Sequence, residues 1–493
     1  MNLIERAVAL SALDVPGSQE LMVCGCEDCA CPVSGERLAR ELPEVSDDVL
    51  VRTGGVLELP LDPDHVALFS PDGNGGVVVV NRTGRRILAA FDEPARVRDV
   101  AGFEPDEVTE VVRRLLAGDV VHPAGRPPTP ELAPSTELTA WLHVTNKCNL
   151  RCPYCYVNKS DDAMTGDVAR ESVDALVDSA VRNGFRSLRL KYAGGEASLN
   201  TDVLIGLHDH AVRRCAESDL SLSAVLLSNG VALADRFISA LVERDIRVMI
   251  SLDGLGAAHD AQRPTLGGKP SSALVVRTID RLIAAGLAPH ISVTITSRNI
   301  DGVADVVRFV LDRGLTFSLN FFRDNECAAT FDDLQYEEQA LLDGLGGAFA
   351  VIEELLPRWS VLGSVLDRGQ LLAPRRRSCG VGDDYVVIDQ NGGIAKCHME
   401  LGTVVGHVRD ADPVSVIRNS PVGIKNLLVE DKAGCRDCTW RNWCSGGCAA
   451  ATFRATGRFD VRSPNCGIYK AIYPQAVRLE GLRLLRYSVL SMT

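Results

Sequence analysis

The chain has 493 residues, enough for about two to four domains with buried cores. A hydrophobic content of 46% with 24% charged residues is typical of globular proteins and excludes a disordered chain. A net charge of −13 argues against nucleic acid as a partner, because bulk electrostatics would repel it.

The N-terminal segment, residues 1–48, lacks the basic stretch and the long apolar stretch of a signal peptide. No apolar run reaches the roughly 18–20 residues that span a bilayer, so we expect a cytoplasmic protein with no membrane partner. Sixteen cysteines in such a protein indicate metal binding or redox use, since disulfides are rare in the cytoplasm. This segment contains a cysteine cluster that suits a metal site and a redox-sensitive segment equally well: Cys24, Cys26, Cys29 and Cys31.

Residues 49–123 read as a compact unit. Three strand-like runs at 56–59, 66–70 and 77–80 precede three helical stretches near 86–91, 97–101 and 106–116. This order resembles the winged-helix-like element that recognises leader peptides, as in the pyrroloquinoline-quinone peptide chaperone family. The resemblance implies an α+β unit that takes up an extended leader as an added strand. A generic winged-helix packing domain is the alternative.

A proline-rich linker at residues 124–136 predicts that residues 1–123 can be removed without exposing the core of the next unit. Beyond it, residues 137–330 alternate strands and helices, which predicts an α/β fold with a parallel sheet. Six such units fall short of the eight that close a full barrel. The strand-like runs lie at 139–144, 187–190, 223–227, 247–252, 291–295 and 317–322.

Three cysteines, Cys148, Cys152 and Cys155, follow the first of these strands in a C-x3-C-x2-C run. Four thiolates normally hold a [4Fe–4S] cluster, so three leave one iron open for a substrate or cosubstrate. A zinc site completed by a ligand elsewhere is the alternative. The spacing, with an aromatic residue after the last cysteine, resembles the radical S-adenosylmethionine (SAM) superfamily. The resemblance implies a partial (β/α)6 TIM-like barrel, and a cluster on these catalytic cysteines that chelates SAM and cleaves it reductively.

Glycine and polar residues follow the predicted strands at the edge where barrel enzymes place their chemistry. A Gly-Gly-Glu run after the second strand resembles the superfamily's Gly-Gly-Glu-Pro motif, with Ala197 in place of proline. Its glycines let the backbone approach a ligand, and its carboxylate can accept hydrogen bonds from the ammonium group of SAM. An ordinary turn and strand-end caps are the alternatives. The predicted cofactor-binding residues are Gly194, Gly195, Glu196, Ser228, Asn229, Ser251 and Asp253.

The rest of the chain reads as a helical bridge at 331–374, a cysteine-rich unit at 375–470 and a C-terminal helix at 471–493. The cysteine-rich unit has a C-x2-C-x5-C-x3-C core with further cysteines on both sides. Close thiolate pairs favour zinc or iron–sulfur clusters over disulfides in a reducing cytosol, and a multi-zinc ribbon is the alternative. All seven positions resemble the SPASM domain, an auxiliary iron–sulfur domain of peptide-modifying radical SAM enzymes. The resemblance implies one cluster on Cys435, Cys438, Cys444 and Cys466, and another on Cys379, Cys397 and Cys448.

The second auxiliary set has no obvious fourth thiolate, because residues 380–396 contain no cysteine. Asp383, Asp384, Cys327, solvent or a substrate thiolate can complete it, and the sequence does not select among them.

These features predict a radical SAM/SPASM peptide maturase with three [4Fe–4S] clusters and SAM. We expect it to abstract hydrogen from a ribosomally made precursor peptide, whose leader binds residues 49–123, and to install a thioether or carbon–carbon cross-link. A reductant such as flavodoxin or ferredoxin would supply electrons. A sulfatase-maturing type of oxidase is the alternative enzyme, although it needs no leader-binding unit. A plain electron-transfer protein is a further alternative, although it needs no SAM pocket.

Overall fold

The computed structural model describes residues 6–15, 41–132, 134–363, 367, 369–410 and 412–488. The predicted cysteine cluster at positions 24, 26, 29 and 31 lies outside these residues. The strands are β1 (Ala9–Leu10), β2 (Val49–Arg52), β3 (Leu57–Pro60), β4 (His65–Phe69), β5 (Val77–Asn81), β6 (Ala95–Arg96), β7 (Val121–Pro123), β8 (Glu137–His143), β9 (Ser187–Ala193), β10 (Ser221–Ser228), β11 (Arg247–Ser251), β12 (His290–Ile295), β13 (Phe317–Phe321), β14 (Tyr385–Ile388), β15 (Gly393–Ala395) and β16 (Gly406–His407). The α-helices are α1 (Arg82–Ala89), α2 (Pro105–Ala117), α3 (Gly166–Arg182), α4 (Thr201–Glu217), α5 (Asp235–Glu243), α6 (Ala257–Gln262), α7 (Ser272–Ala284), α8 (Val303–Asp312), α9 (Glu338–Leu355), α10 (Pro413–Asn419), α11 (Arg441–Cys444), α12 (Ala449–Thr456) and α13 (Cys466–Tyr487).

Strands β8 to β13 run parallel to one another within a nine-stranded sheet and lie side by side in chain order. β8 is buried along nearly its whole length, as expected of a strand covered on both faces. The six predicted strands are all present, with ends shifted by at most three residues. Helices connect each strand to the next, so the predicted α/β fold with a parallel sheet is confirmed. Its closure into a partial barrel stays a prediction.

End caps and apolar faces in the sequence explain where the helices between the parallel strands form, and α3 is an example. The Thr165 hydroxyl caps α3 by accepting from the Val168 amide at 3.3 Å, and Asp167 places a negative charge in the first turn. The apolar face of α3, which includes Val173 and Leu176, is buried in the core that the sheet shares with its helices.

The cysteine-rich unit extends the same sheet. β14 pairs in parallel with β8 over residues 385–388, and β15 and β16 follow as antiparallel strands. Residues 375–470, expected as a separate unit, therefore share a backbone ladder with the parallel sheet. Because Cys397 lies two residues after β15, this ladder places a predicted cluster ligand beside the parallel sheet.

The front unit consists of residues 49–123 together with β1, and these described residues form two small sheets and two α-helices. β3, β4 and β5 form an antiparallel meander, and β1 pairs with β5, which gives the order β1-β5-β4-β3. β2 lies between β6 and β7 in the second sheet. The three predicted strands and the first and last predicted helices are present, whereas the middle one is only the 3-10 turn Val97–Asp99. A leader-recognition role for this unit stays a prediction.

The front unit packs tightly against the cysteine-rich part of the chain. The Trp443 side chain is fully buried, its Nε1 donates to the Pro71 carbonyl at 2.8 Å, and its ring centroid lies 5.1 Å from that of Phe69. A Cβ on Gly481 of α13 would lie 2.8 Å from the Ala67 Cβ, so glycine allows the helix to rest directly on β4. Removing residues 1–123 would expose Trp443 and one face of α13 to solvent. The deletion would therefore destabilise the rest of the chain, contrary to the prediction from the linker.

The C-terminal helix begins earlier than predicted, at Cys466, so a predicted cluster ligand lies in its first turn. The helical bridge expected at 331–374 contains α9. Across the described ranges, no helix combines the length and apolar character that crossing a membrane requires.

Candidate functional site

An open cavity lies at the carboxyl ends of the parallel strands, where α/β folds bind their ligands. Its empty volume is about 1120 Å³, including the part that is open to solvent. Residues from the loop after β8 and from the ends of β9, β10 and β11 meet there. The predicted site residues that line this cavity are Cys148, Cys152, Cys155, Gly194, Gly195, Glu196, Ser228, Asn229 and Ser251.

The cysteine loop, residues 148–155, is held in place by the segment that follows α6. The Leu266 amide donates to the Asn149 carbonyl at 2.8 Å. Burial raises the pKa of Cys148 and raises that of Cys152 to about 12. These two thiols would be neutral at pH 7 when free, so coordination to a metal is what would make them thiolates.

The Gly-Gly-Glu turn after β9 packs directly against residues 145–147, which lead into the cysteine loop. A Cβ on Gly194 would lie 2.4 Å from the Thr145 carbonyl oxygen, and one on Gly195 would lie 2.4 Å from that of Lys147. The chain's own backbone therefore requires these glycines, whereas the motif suggested close approach to a ligand. The Gly195 amide donates to Thr145 O and the Glu196 amide donates to Lys147 O, each at 2.7 Å. The turn and the loop thus form one hydrogen-bonded unit.

Gly195→Ala is expected to weaken SAM binding by roughly tenfold or more, which corresponds to about 1.4 kcal/mol. The added Cβ would meet backbone oxygens, so the cysteine loop itself would have to move. Calorimetric titration under anaerobic conditions measures the affinity. Gly206→Ala in α4 is the matched control, because a Cβ there meets nothing within 4 Å. It should keep SAM affinity and raise the free energy of unfolding by about 0.5–1 kcal/mol. Equal SAM affinities of the two variants would contradict this role of the turn.

Glu196 ties the end of β9 to the end of β10. Its side chain is buried, and Oε1 accepts from the Ser228 hydroxyl at 2.9 Å and from the Ser198 amide at 3.1 Å. Oε2 accepts from the Asn229 amide at 2.7 Å. Since a carboxylate has about four acceptor positions, one direction is left for a cationic ligand group. The Asn229 side-chain amide in turn lies 3.8 Å from the Cys148 sulfur, so the hydrogen bonds around Glu196 extend to the cysteine loop.

Asp253 is the member of the predicted set that does not line the cavity. Its carboxylate is fully buried and accepts from Arg263 Nε at 2.7 Å, from the Thr294 amide at 2.9 Å and from the Tyr154 hydroxyl. Both carboxylate oxygens are therefore engaged by the protein itself. Arg263 and Tyr154 do line the cavity. Asp253 therefore holds two cavity residues in place and does not itself face the cavity.

Further cavity residues have no motif that marks them in the sequence. Lys159 Nζ lies 2.7 Å from the Cys155 sulfur, close enough to offset thiolate charge, and its only signal is that it follows the cysteine loop. His398 stacks on Trp141 with ring centroids 4.6 Å apart. Because His398 directly follows Cys397, the cysteine-rich unit contributes to the wall of the cavity.

The four cysteines that the SPASM resemblance assigns to one cluster surround a second, smaller cavity of about 280 Å³. Cys466 reaches it from the first turn of α13. Burial raises the pKa of Cys435 and raises that of Cys444 to about 11, so these thiols also need a metal to ionise at pH 7. The cavity is lined by Cys435, Cys438, Cys444 and Cys466.

The other auxiliary set packs within one apolar cluster: Cys379, Cys397 and Cys448. Asp383 and Asp384 line a neighbouring cavity together with Cys379. Burial, with Asp383 adding to it, raises the pKa of Asp384 to about 7. The Cys327 sulfur lies instead 3.5 Å from the Tyr156 carbonyl, beside the first cavity. Asp383 and Asp384 therefore lie beside this set of cysteines, whereas Cys327 lies beside the first cavity.

The donor sets consist of thiols, which are the ligands that iron–sulfur clusters take. In the part of the chain that the structure describes, no three cysteine, histidine or carboxylate side chains converge as ligands of a single metal ion. A four-iron cluster presents its iron atoms at separate corners, so its cysteines need not converge on one point. The thiols that line the two cavities are therefore of the ligand type that such clusters take.

Residues 142–310 match the family model of the Radical SAM superfamily. This stretch contains the cysteine loop, the Gly-Gly-Glu turn and the strand ends that build the first cavity. This part of the chain is therefore similar to radical SAM domains, a class that uses one [4Fe–4S] cluster and SAM.

Two curated proteins and a solved structure extend the comparison. The chain is 27% identical over 336 residues to mycofactocin maturase MftC of Mycobacterium ulcerans, covering 66% of this chain and 86% of that protein. It is 28% identical over 304 residues to sporulation killing factor maturation protein SkfB of Bacillus subtilis, covering 60% and 68%. Native anSMEcpe with bound AdoMet and Cp18Cys peptide superposes with a TM-score of 0.56 at 16% identity, over 70% of this chain and 99% of that one. At this identity the structural likeness shows the fold alone.

Proposed function

We propose that this protein is a radical SAM maturase that modifies a ribosomally made precursor peptide. The observation that carries the proposal is the single cavity in which the loop cysteines, the Gly-Gly-Glu turn and the polar ends of β10 and β11 meet. The match to the radical SAM family covers the same residues. The relatives named for the maturation of mycofactocin and of sporulation killing factor support a maturase.

Cys148, Cys152 and Cys155 would hold a [4Fe–4S] cluster with one open iron. When bound, this cluster and SAM supply a 5′-deoxyadenosyl radical, which abstracts a hydrogen atom from a carbon of the peptide. The remaining acceptor position of Glu196 suits the ammonium group of SAM, and Lys159 offsets thiolate charge. The stacked rings of Trp141 and His398 give the cavity a wall with no aliphatic C–H bond for a reactive radical to attack at the ring faces.

The two C-terminal cysteine sets would hold two further [4Fe–4S] clusters, for three in total. The set with Cys397 is next to the first cavity, because His398 lines that cavity. This place suits the removal of one electron from a substrate radical as it closes into a thioether or carbon–carbon cross-link. A flavodoxin or ferredoxin would deliver the electron that SAM cleavage consumes.

The leader of the precursor would bind the open edge of β3. Among the described strands, β3 pairs only with β4. The Leu61 amide donates to the His65 carbonyl at 3.0 Å, so by the alternation of an antiparallel ladder the N–H and C=O of Glu58 point away from β4. Pro60, which has no N–H, occupies the same outward register, as is usual in edge strands. An extended peptide can add there as a further strand.

Glu58→Pro is expected to weaken precursor binding by roughly tenfold, because it removes an outward N–H from the proposed docking edge. Fluorescence anisotropy of a labelled precursor on the full-length protein measures the affinity. Glu58→Ala is the matched control: both variants lose the ion pairs to Arg52 and Arg85, but only proline loses the N–H. Equal affinities of the two variants would reject strand addition at this edge.

The function itself is tested by coexpression with a short open reading frame next to the gene, followed by tandem mass spectrometry of the precursor. We expect the precursor to lose the mass of one hydrogen pair, with no fragment ions between the two linked residues. Oxidation of one residue, as the oxidase alternative requires, would leave every backbone bond open to fragmentation. SAM cleavage with an unmodified precursor would reject the proposed peptide substrate.

A further inference from the structure

A lysine is buried at the junction of the two C-terminal cysteine sets. Lys432 exposes only 2% of its surface, and its ammonium group donates to the Ser445 carbonyl at 2.8 Å. Within the described residues, no carboxylate forms an ion pair with it. Taking an ammonium group out of water without a counter-charge is costly, so buried lysines are nearly always paired. The lack of a carboxylate counter-ion among the described residues requires an explanation.

Lys432 contacts Ser445 and Gly446, which lie in the chain between Cys444 of one set and Cys448 of the other. Its own carbonyl accepts from the Cys435 amide at 3.1 Å, and Ser445 directly follows Cys444. A Cβ on Gly446 would lie 2.9 Å from Lys432 Nζ, so glycine leaves the room that the ammonium group occupies. Burial lowers the pKa of Lys432. Cysteines of both sets raise that pKa when they are thiolates: Cys379 and Cys448 of one set, Cys435 and Cys444 of the other.

We propose that Lys432 is a buried counter-charge shared by the two auxiliary iron–sulfur clusters. The inference rests on the proposed function, which assigns clusters to these cysteines. A [4Fe–4S] cluster with its thiolates carries net negative charge and becomes more negative on reduction. A buried ammonium group beside it stabilises the reduced form more than the oxidised form, because Coulomb energy is large in a medium of low dielectric constant. Lys432 therefore raises the reduction potentials of both clusters; it is a positioning residue that touches neither SAM nor peptide.

The test is a redox titration of the anaerobically reconstituted full-length protein, followed by electron paramagnetic resonance. The same titration with Cys152→Ala isolates the auxiliary signals from that of the cysteine-loop cluster. We expect Lys432→Met to lower the midpoint potentials of both auxiliary clusters and Lys432→Arg to keep them near the wild-type values. Lys425→Met is the matched control, since Lys425 is exposed and the same substitution there should change neither potential.

Iron content separates this inference from the proposed function. Wild-type protein should contain roughly twelve iron atoms per chain, for three four-iron clusters. A wild-type content near four, with zinc present, would overturn the two auxiliary clusters and with them this inference, but it would leave the cysteine-loop cluster in place. Full iron content with unchanged potentials in Lys432→Met would overturn only the role of Lys432. Loss of iron in Lys432→Met but not in Lys432→Arg would support the counter-charge, whereas loss in both would overturn it in favour of side-chain shape.

Discussion

Cys152→Ala is expected to abolish 5′-deoxyadenosine formation, to the background of the assay. Two remaining thiolates cannot hold a cluster with one open iron, so neither SAM binding at iron nor its reduction is supported. Cys148→Ala and Cys155→Ala should behave in the same way. Anaerobic incubation with SAM and dithionite, followed by chromatography, measures the product, and iron content should fall by roughly four atoms per chain.

Cys215→Ala is the matched control for this experiment. It makes the same substitution at a buried thiol of α4 that lies outside the cavity. We expect it to retain product formation, with the free energy of unfolding lowered by about 1 kcal/mol. Continued SAM cleavage by Cys152→Ala would contradict the assignment of the cysteine loop to the cluster.

Asp253→Ala is expected to lower the free energy of unfolding by about 3–5 kcal/mol, because it leaves Arg263 buried without its counter-charge. Arg263 also lies over the ring of Tyr154, with its guanidinium carbon 5.4 Å from the ring centroid. Tyr154 is part of the cysteine loop, so we expect SAM cleavage to fall together with stability. Chemical denaturation measures the first effect, and 5′-deoxyadenosine formation measures the second.

A double variant, Asp253→Leu with Arg263→Met, separates the causes. It removes both charges and should recover most of the lost stability, since an apolar pair avoids the cost of an isolated buried charge. If Asp253→Ala alone were as stable as the wild type within about 1 kcal/mol, the supporting role of this ion pair would be wrong.

The parallel core was predictable because its signals are local. Each of the six strands is an apolar run bounded by turns, and the alternation with helices leaves few arrangements other than a parallel sheet. The cysteine loop and the Gly-Gly-Glu turn follow strand ends, which meet at one edge of such a sheet. Ser228 and Asn229 were predictable for the same reason, and both line the cavity.

Long-range packing could not be predicted in the same way. The proline-rich linker indicated a separable front unit, but Trp443 is buried against Phe69 and Pro71 of that unit. The hairpin that begins at β14 extends the parallel sheet, although nothing in its sequence marks β8 as its neighbour. Sequence patterns report which face of an element is apolar, not which distant element covers it.

By itself, the sequence determined where the thiols lie along the chain and which strand ends carry glycine and carboxylate groups, because spacing within one loop or turn restricts what its side chains can reach. Only the tertiary structure decided what surrounds them. It turned the carboxylate of Asp253 toward Arg263, and it buried Lys432 between two cysteine sets. These contacts join residues far apart in the chain, and the direction of each side chain is set by the packing of its neighbours and by the hydrogen bonds that buried polar groups must make.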